Sequence, residues 1–215
     1  MALSDFPGRR GRLFVIAAPS GAGKTSLVRA LMDREPGLRF SISYTTRPKR
    51  PAEQHGRDYF FVPKDGFERM VANGEFLEHA RVFDNNYGTA RRPVEDALAS
   101  GQDLILEIDW QGAAQIRAAL PECISIFILP PSRPELERRL RGRGTDSEQV
   151  IERRLRDAAS DMTHWREFDH VVVNDDFATA LGQLQDIVAG EGLATRKERP
   201  GLAELAAALT GGDRG

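Results

Sequence analysis

The segment Ala18-Pro-Ser-Gly-Ala-Gly-Lys24-Thr25 follows five continuous apolar residues, Leu13 to Ala17, and precedes a helical spacing of Leu27, Val28 and Leu31. Strand, glycine-rich turn ending in Lys-Thr, and helix is the context in which such a loop cradles phosphates. Gly21 and Gly23 let the backbone curl its N–H groups inward. A helix over residues 25–34 adds the positive end of its dipole. Lys24 is placed to reach the outer phosphates, and the Thr25 hydroxyl suits Mg²⁺. The strand before the loop is continuously apolar rather than alternating. It therefore belongs to a parallel sheet covered on both faces. The loop identifies the phosphates of a nucleotide and leaves the reaction open.

The rest of the chain keeps this rhythm. Further buried strands are expected at 104–108, 124–129 and 171–173, and helices at 111–119, 135–141, 147–168 and 177–188. The fold class is therefore α/β, a P-loop NTPase-type parallel sheet covered by helices on both faces. Two stretches break the alternation. Residues 39–90 are rich in Tyr, Thr, Phe and charge, with strand-like pieces at 40–45, 59–62 and 76–82, and read as a small mixed α/β insertion. Residues 131–165 are dominated by arginine and acid and read as a helical lid. The core is then 1–38, 91–130 and 166–215.

Composition removes other classes. The 215 residues carry 30 Lys+Arg against 32 Asp+Glu, a net charge of −2, which excludes a generalised basic nucleic-acid binder. The one cysteine, Cys123, cannot form an internal disulfide and reads as a small buried hydrophobe. His55, His79, His164 and His170 lack metal-ligand spacing. No apolar run spans a bilayer and the N-terminus lacks a signal region, so a cytoplasmic protein is expected.

Several charged groups are placed for chemistry. The strand Leu104-Ile-Leu-Glu107-Ile-Asp109 ends in two carboxylates on one face, where ligands of open α/β sheets collect. Either can hold magnesium or accept from a substrate. Arg47 and Arg50, with hydroxyls in Ser43-Tyr-Thr-Thr and with Tyr59, Tyr87 and Thr89, suit a phosphomonoester. Glu78 is an acid between apolar neighbours in a strand-like stretch. Arg133, Arg138, Arg139, Arg141, Arg143, Arg153, Arg154 and Arg156 crowd the lid. Most pair with acids such as Glu135, Glu137, Glu148 and Glu152 on a solvated helix face. Two or three are expected to work, Arg143 in its flexible turn among them.

These pieces, APSGAGKT, SYTTRPKR, HGRDYFF, FLEHA, NNYGT, LEIDWQGA, SIFILPPS, RRLRGRG and VVVNDD, appear in the order found in guanylate kinases. The chain resembles the bacterial type of that family over residues 12–186. The resemblance implies a P-loop core with a GMP-binding insertion and a lid, converting ATP and GMP to ADP and GDP with Mg²⁺. Residue by residue, it implies ATP binding by Ala18, Pro19, Ser20, Gly21, Ala22, Gly23, Lys24, Thr25 and Ser26, with Asn174 beside the adenine. GMP would be held by Ser43, Arg47, Arg50, Tyr59, Tyr87, Gly88 and Thr89, with Glu78 reading guanine. One of Glu107 and Asp109 would assist Glu78, the other lying nearer magnesium. Lys24, Arg47, Arg139, Arg143 and Arg154 would be catalytic. The family allows dGMP as acceptor and a homo-oligomer, and implies no nucleic-acid or membrane partner. Residues 202–210 form a terminal helix that packs on the core or mediates self-association.

Three features depart from the family's pattern: Ala18 in the loop, Arg47-Pro48-Lys49-Arg50 in place of the usual Arg-x-Pro-Arg with Ala52 where glycine is common, and Glu107 where aspartate is frequent. None removes a charge that the chemistry uses. Guanine presents adjacent N1–H and N2–H₂ donors that a carboxylate accepts as a pair, whereas adenine offers no such pair. The attacking phosphate oxygen is already ionised near neutral pH, so no general base is required. Two other readings have the same fold: a guanylate-kinase-like module that binds proteins without catalysis, and a kinase with a different acceptor such as a sugar phosphate. Lys24, both site arginines and Glu78 argue against them.

Overall fold

The computed structural model describes residues 8–82, 84–142, 144 and 147–211. The expected role of Arg143 and the glycine-rich tail beyond 211 lie outside the described residues. In chain order the elements are β1 (Leu13–Ala17), α1 (Lys24–Arg34), β2 (Leu38–Phe40), β3 (Tyr44–Thr45), β4 (Phe60–Phe61) and α2 (Lys64–Ala72). Then come β5 (Phe76–Val82), β6 (Asn85–Ala90), α3 (Arg91–Ala99), β7 (Asp103–Glu107), α4 (Trp110–Ala119) and β8 (Ile124–Leu129). The last are α5 (Arg133–Arg141), α6 (Glu148–Met162), β9 (His170–Val173), α7 (Phe177–Ala189) and α8 (Leu202–Thr210).

One sheet has the strand order β2-β7-β1-β8-β9, and β2/β7 and β8/β9 run parallel. All five residues of β1 are buried, which requires cover on both faces. The second sheet has the order β4-β3-β6-β5 and is mixed: β3 and β4 are parallel, while β6 is antiparallel to both β3 and β5.

The described residues form two compact units, one of residues 8–15 with the described part of 36–123, the other of Ile16–Glu35 with the described residues from 124 to 211. In the first, Asp103 anchors the start of β7: it accepts from the backbone N–H of Arg12 at 2.6 Å and pairs with the Arg12 and Arg9 guanidiniums. Phe67 meets Phe76 with ring centres 4.5 Å apart and planes tilted by 30°, packing α2 on the small sheet. In the second, Phe127 and Phe168 form a ring pair in the core. Leu202, Ala206 and Leu209 of α8 are buried against α6, so the terminal helix packs on its own unit.

Three expectations need correction. The strand-like run 40–45 is not one strand: β2 ends at Phe40 in the parallel sheet and β3 begins at Tyr44 in the mixed sheet. The helix expected over 147–168 stops at Met162 and continues as a tighter 3-10 turn, Thr163–Glu167. The Thr163 hydroxyl donates to the Ser160 carbonyl at 2.7 Å, a local bond that competes with regular α-helix. Finally, β6 lies outside the expected strand pieces: Asn85, Asn86 and Gly88 disfavour a strand although Tyr87 and Thr89 favour one, and pairing with β3 and β5 on either side decides it.

Candidate active site

In the second unit the turn after β1 curls as its glycines allow. Gly21 (φ 89°) and Gly23 (φ 92°) are left-handed, and Gly23 is the N-cap residue of α1. Glycine offers no side-chain oxygen, so the first amides of α1 have no cap from that residue. Two neighbours hold the turn. The buried Asn174, just after β9, donates its side-chain amide to the Ala22 carbonyl at 2.7 Å. Arg139 of α5 reaches the Asn174 carbonyl at 2.9 Å and the Ala22 carbonyl at 3.5 Å, while its Nε holds Glu135 at 2.7 Å. The guanidiniums of Arg138 and Arg139 hold the Glu135 carboxyl down at about 2.

The loop is thus bonded to the arginine-bearing helix. Asn174, expected beside adenine, spends its amide on the loop's own backbone. Gly21 also packs closely, since a Cβ there would meet Leu136 at 2.8 Å. At Gly23 a Cβ would lie 2.3 Å from Asn174 Nδ2. We therefore expect Gly23→Ala to weaken ATP binding by about tenfold or more, through strained φ and the displaced amide, while GMP binding is unchanged. Calorimetric titration with each nucleotide checks this; an unaltered ATP affinity would mean the amide's placement is irrelevant to the loop.

The other arginines expected in the lid differ in their surroundings. Arg138, Arg141, Arg153 and Arg156 pair with acids on exposed faces. Arg154 is half-buried on α6.

The first unit carries the residues expected to hold a phosphomonoester. Arg47 donates from Nη2 to Glu53 Oε1 at 2.7 Å and from Nη1 to the Pro48 carbonyl at 2.9 Å. Its guanidinium lies 5.5 Å from the Tyr59 ring centre and 5.8 Å from that of Phe61. The Glu53 hydrogen bond, and more weakly Tyr87, push the Arg47 pKa above its ordinary value. Glu53 accepts the Arg50 backbone N–H at 2.8 Å through its second oxygen. It returns its own N–H to the Arg50 carbonyl at 3.0 Å, which closes the turn. Among the described residues Asp84 is the only non-glycine with positive φ, so Ala52 needs no glycine-like backbone. Tyr59 and Tyr87 meet edge to face at 6.0 Å, and burial, with the Glu107 charge, pushes the Tyr59 hydroxyl up to about 12. Ser43 is buried, whereas the Arg50 side chain is exposed.

Glu78 lies in β5 directly after a bulge that breaks the β5/β6 register between Phe76 and Glu78. Bulges re-aim side chains, and this carboxylate points inward, 3% exposed. It accepts from the Thr89 hydroxyl at 2.6 Å. Burial pushes its pKa up to about 7 against the lowering by Thr89, and the Asp109 charge adds to the rise. Asp109 is the N-cap residue of α4 and accepts from Gly112 N–H at 2.8 Å. The strand-end acids therefore separate: Asp109 acts on Glu78, Glu107 on Tyr59.

Sequence reasoning missed Glu53 and Gly112. Glu53 was legible as the lone acid closing an arginine turn, six residues after Arg47 and three after Arg50. Gly112 was not, because its importance is a distance: a Cβ there would lie 2.5 Å from Glu78 Oε2.

A left-handed phosphate loop between a buried strand and an uncapped helix, on a parallel α/β sheet, defines a P-loop nucleotide-binding protein. Within that class, the guanylate kinase family model matches residues 10–191. The chain belongs to the guanylate kinase family. It is 57% identical over 202 residues to the guanylate kinase of Methylococcus capsulatus, covering 94% of this chain and 99% of that one. With the guanylate kinase of Chromohalobacter salexigens it shares 53% over 203 residues, 94% of each chain. The crystal structure of guanylate kinase from Anaplasma phagocytophilum superposes with a TM-score of 0.71 at 33% identity, covering 92% of this chain and 94% of that one.

Proposed function

We infer that the protein transfers the γ-phosphoryl group of ATP to GMP, giving ADP and GDP. The observation that carries the acceptor assignment is Glu78, a buried carboxylate oriented by Thr89 and flanked by Asp109. Two adjacent oxygens accept the paired N1–H and N2–H₂ of guanine. An adenine base would leave the carboxylate desolvated and unpaired at a cost of roughly a few kcal/mol. Asp109, rather than Glu107, is the second acid whose charge bears on it.

Ser43, Arg47, Arg50, Tyr59 and Tyr87 hold the GMP phosphate, and the Ala18-to-Ser26 loop with Lys24 holds the triphosphate. Asn174 braces the loop. Thr25, exposed at the second position of α1, is a donor that fits a largely hydrated cation bound mainly through phosphates. Mg²⁺ held there would neutralise charge on the transferring group. Catalysis otherwise consists of alignment plus compensation of phosphate charge by Lys24, Arg47, Arg139, Arg143 and Arg154. Residues 39–90 serve as the acceptor-binding segment and 131–165 as the lid, which must keep water from the donor. A cytoplasmic setting supplies both nucleotides.

The direct test is coupled ADP release with ATP·Mg²⁺ and GMP, AMP, UMP or no acceptor. Fast release with GMP alone is expected. No release with any acceptor, from folded protein that binds GMP, would move the reading to a binding module. A second test uses acidity. Reading guanine needs the Glu78 carboxylate, whose free-state pKa is about 7, so guanine binding expels a proton. Guanosine, which lacks a titrating phosphate, should bind about tenfold more weakly at pH 6 than at pH 8. A flat profile would mean that Glu78 does not contact the base.

A further inference from the structure

The Glu78 carboxylate is aimed by a bulge on a strand with one open side. β5 is an edge strand, since the mixed sheet ends β6-β5. A bulged edge strand has few bonds to hold its register, and a slip there turns its side chains away from their targets. In this chain the open side is bonded by one side chain of α4. Gln115 Nε2 donates to the His79 carbonyl at 2.8 Å, and Gln115 Oε1 accepts the His79 backbone N–H at 3.1 Å. One amide thus satisfies both main-chain groups of the residue that follows Glu78, as a neighbouring strand would. On the other side His79 is paired with Gly88 of β6.

The same helix approaches Glu78 itself. Gly112 lies one turn before Gln115, and its missing side chain leaves the space that Glu78 Oε2 occupies. Asp109 fixes that turn through the Gly112 N–H. The carboxylate is therefore oriented at Oε1 by Thr89, and its strand is pinned just past the bulge by Gln115.

We propose that Gln115 is a positioning residue for acceptor-base selectivity, acting through the His79 backbone to hold the Glu78 carboxylate in register with guanine. The proposal rests on the reading of Glu78 as the guanine-contacting acid. The sensitive comparison is GMP against IMP. IMP retains N1–H but lacks the N2 amine, so the preference for GMP reports how well the second carboxylate oxygen is placed. A displaced Glu78 loses this preference first.

The experiment measures kcat/KM for GMP and for IMP, and KM for ATP, in the wild-type enzyme, Gln115→Met and Gln115→Glu. Methionine keeps length and helix propensity but removes both bonds. Glutamate can still accept the His79 N–H but repels its carbonyl. We expect Gln115→Met to raise KM for GMP about five- to tenfold and to shrink the GMP:IMP ratio by a similar factor, with KM for ATP within about twofold. Gln115→Glu should fall between this variant and wild type. Equal losses for GMP and IMP, or an unchanged ratio in a folded variant, would overturn the positioning role and leave Gln115 structural. A wild-type enzyme with no preference for GMP over AMP would instead overturn the underlying reading of Glu78.

Discussion

Glu78→Gln is expected to cut kcat/KM for GMP by about 10²–10³-fold while making the ligand-free protein more stable at pH 8. The two effects share one cause. The carboxylate is buried, which raises its pKa from an ordinary 4.5 to about 7. A carboxyl that holds its proton more tightly when folded contributes stability that is complete below its unfolded pKa. That contribution is lost as pH rises from about 4.5 through 7. At pH 8 the wild type therefore carries a penalty of about 3 kcal/mol that glutamine does not. For a chain of this size the gain corresponds to roughly 6–12 °C in Tm, shrinking to nothing near pH 4. Glutamine still accepts from Thr89 with its oxygen, so the strand keeps its geometry. Its amide nitrogen, however, faces a guanine donor where an acceptor is required. ATP binding should not change. An unaltered kcat/KM would remove Glu78 from the acceptor site, and a Tm difference independent of pH would show that its burial carries no ionisation cost.

Arg47→Ala is expected to raise KM for GMP about 10–100-fold and to lower kcat as well, because charge-assisted bonds to the phosphate provide both binding and alignment. The structure adds a second expectation. Arg47 is already held by Glu53 and the Pro48 carbonyl and stacked beside Tyr59 and Phe61, so its guanidinium is oriented before any phosphate arrives. Lysine cannot reproduce a planar fork that bonds along one edge and stacks on its face. Arg47→Lys should therefore recover less than about a tenth of the lost kcat/KM. Guanosine affinity should be untouched in both variants, since it depends on Glu78. A wild-type KM for GMP in Arg47→Ala would exclude Arg47 from the phosphate site. Full recovery in Arg47→Lys would show that charge alone matters.

Local chemistry made the donor side legible in the sequence. A continuous apolar strand, a turn needing positive φ at Gly21 and Gly23, and a helix opening on Lys24 and Thr25 are neighbours in the chain. Their geometry follows from backbone sterics and periodicity without reference to distant residues. β1, β5 and β8 and the helix Leu202–Thr210 occupy the ranges read from their patterns. The acceptor side was legible as residue types, an arginine pair, tyrosines and an isolated acid, but not as an arrangement. Nothing local says that Asp109 rather than Glu107 acts on Glu78, or that Asn174 bonds the phosphate loop.

Those outcomes depend on contacts between residues far apart in the chain. The Asn174 amide meets Ala22 only because β9 ends beside the loop. Gly112 matters only because α4 starts against the β5 bulge. Asn85–Ala90 is a strand because partners on both sides supply its hydrogen bonds, against the turn preference of Asn85, Asn86 and Gly88. Sequence by itself determined the phosphate loop, the α/β alternation and the chemical types on the acceptor side, because each rests on backbone preference or on side-chain chemistry. Tertiary structure alone decided which carboxylate is buried and which amide bonds the open edge of β5, because desolvation and hydrogen-bond geometry between distant segments exist only once they have packed.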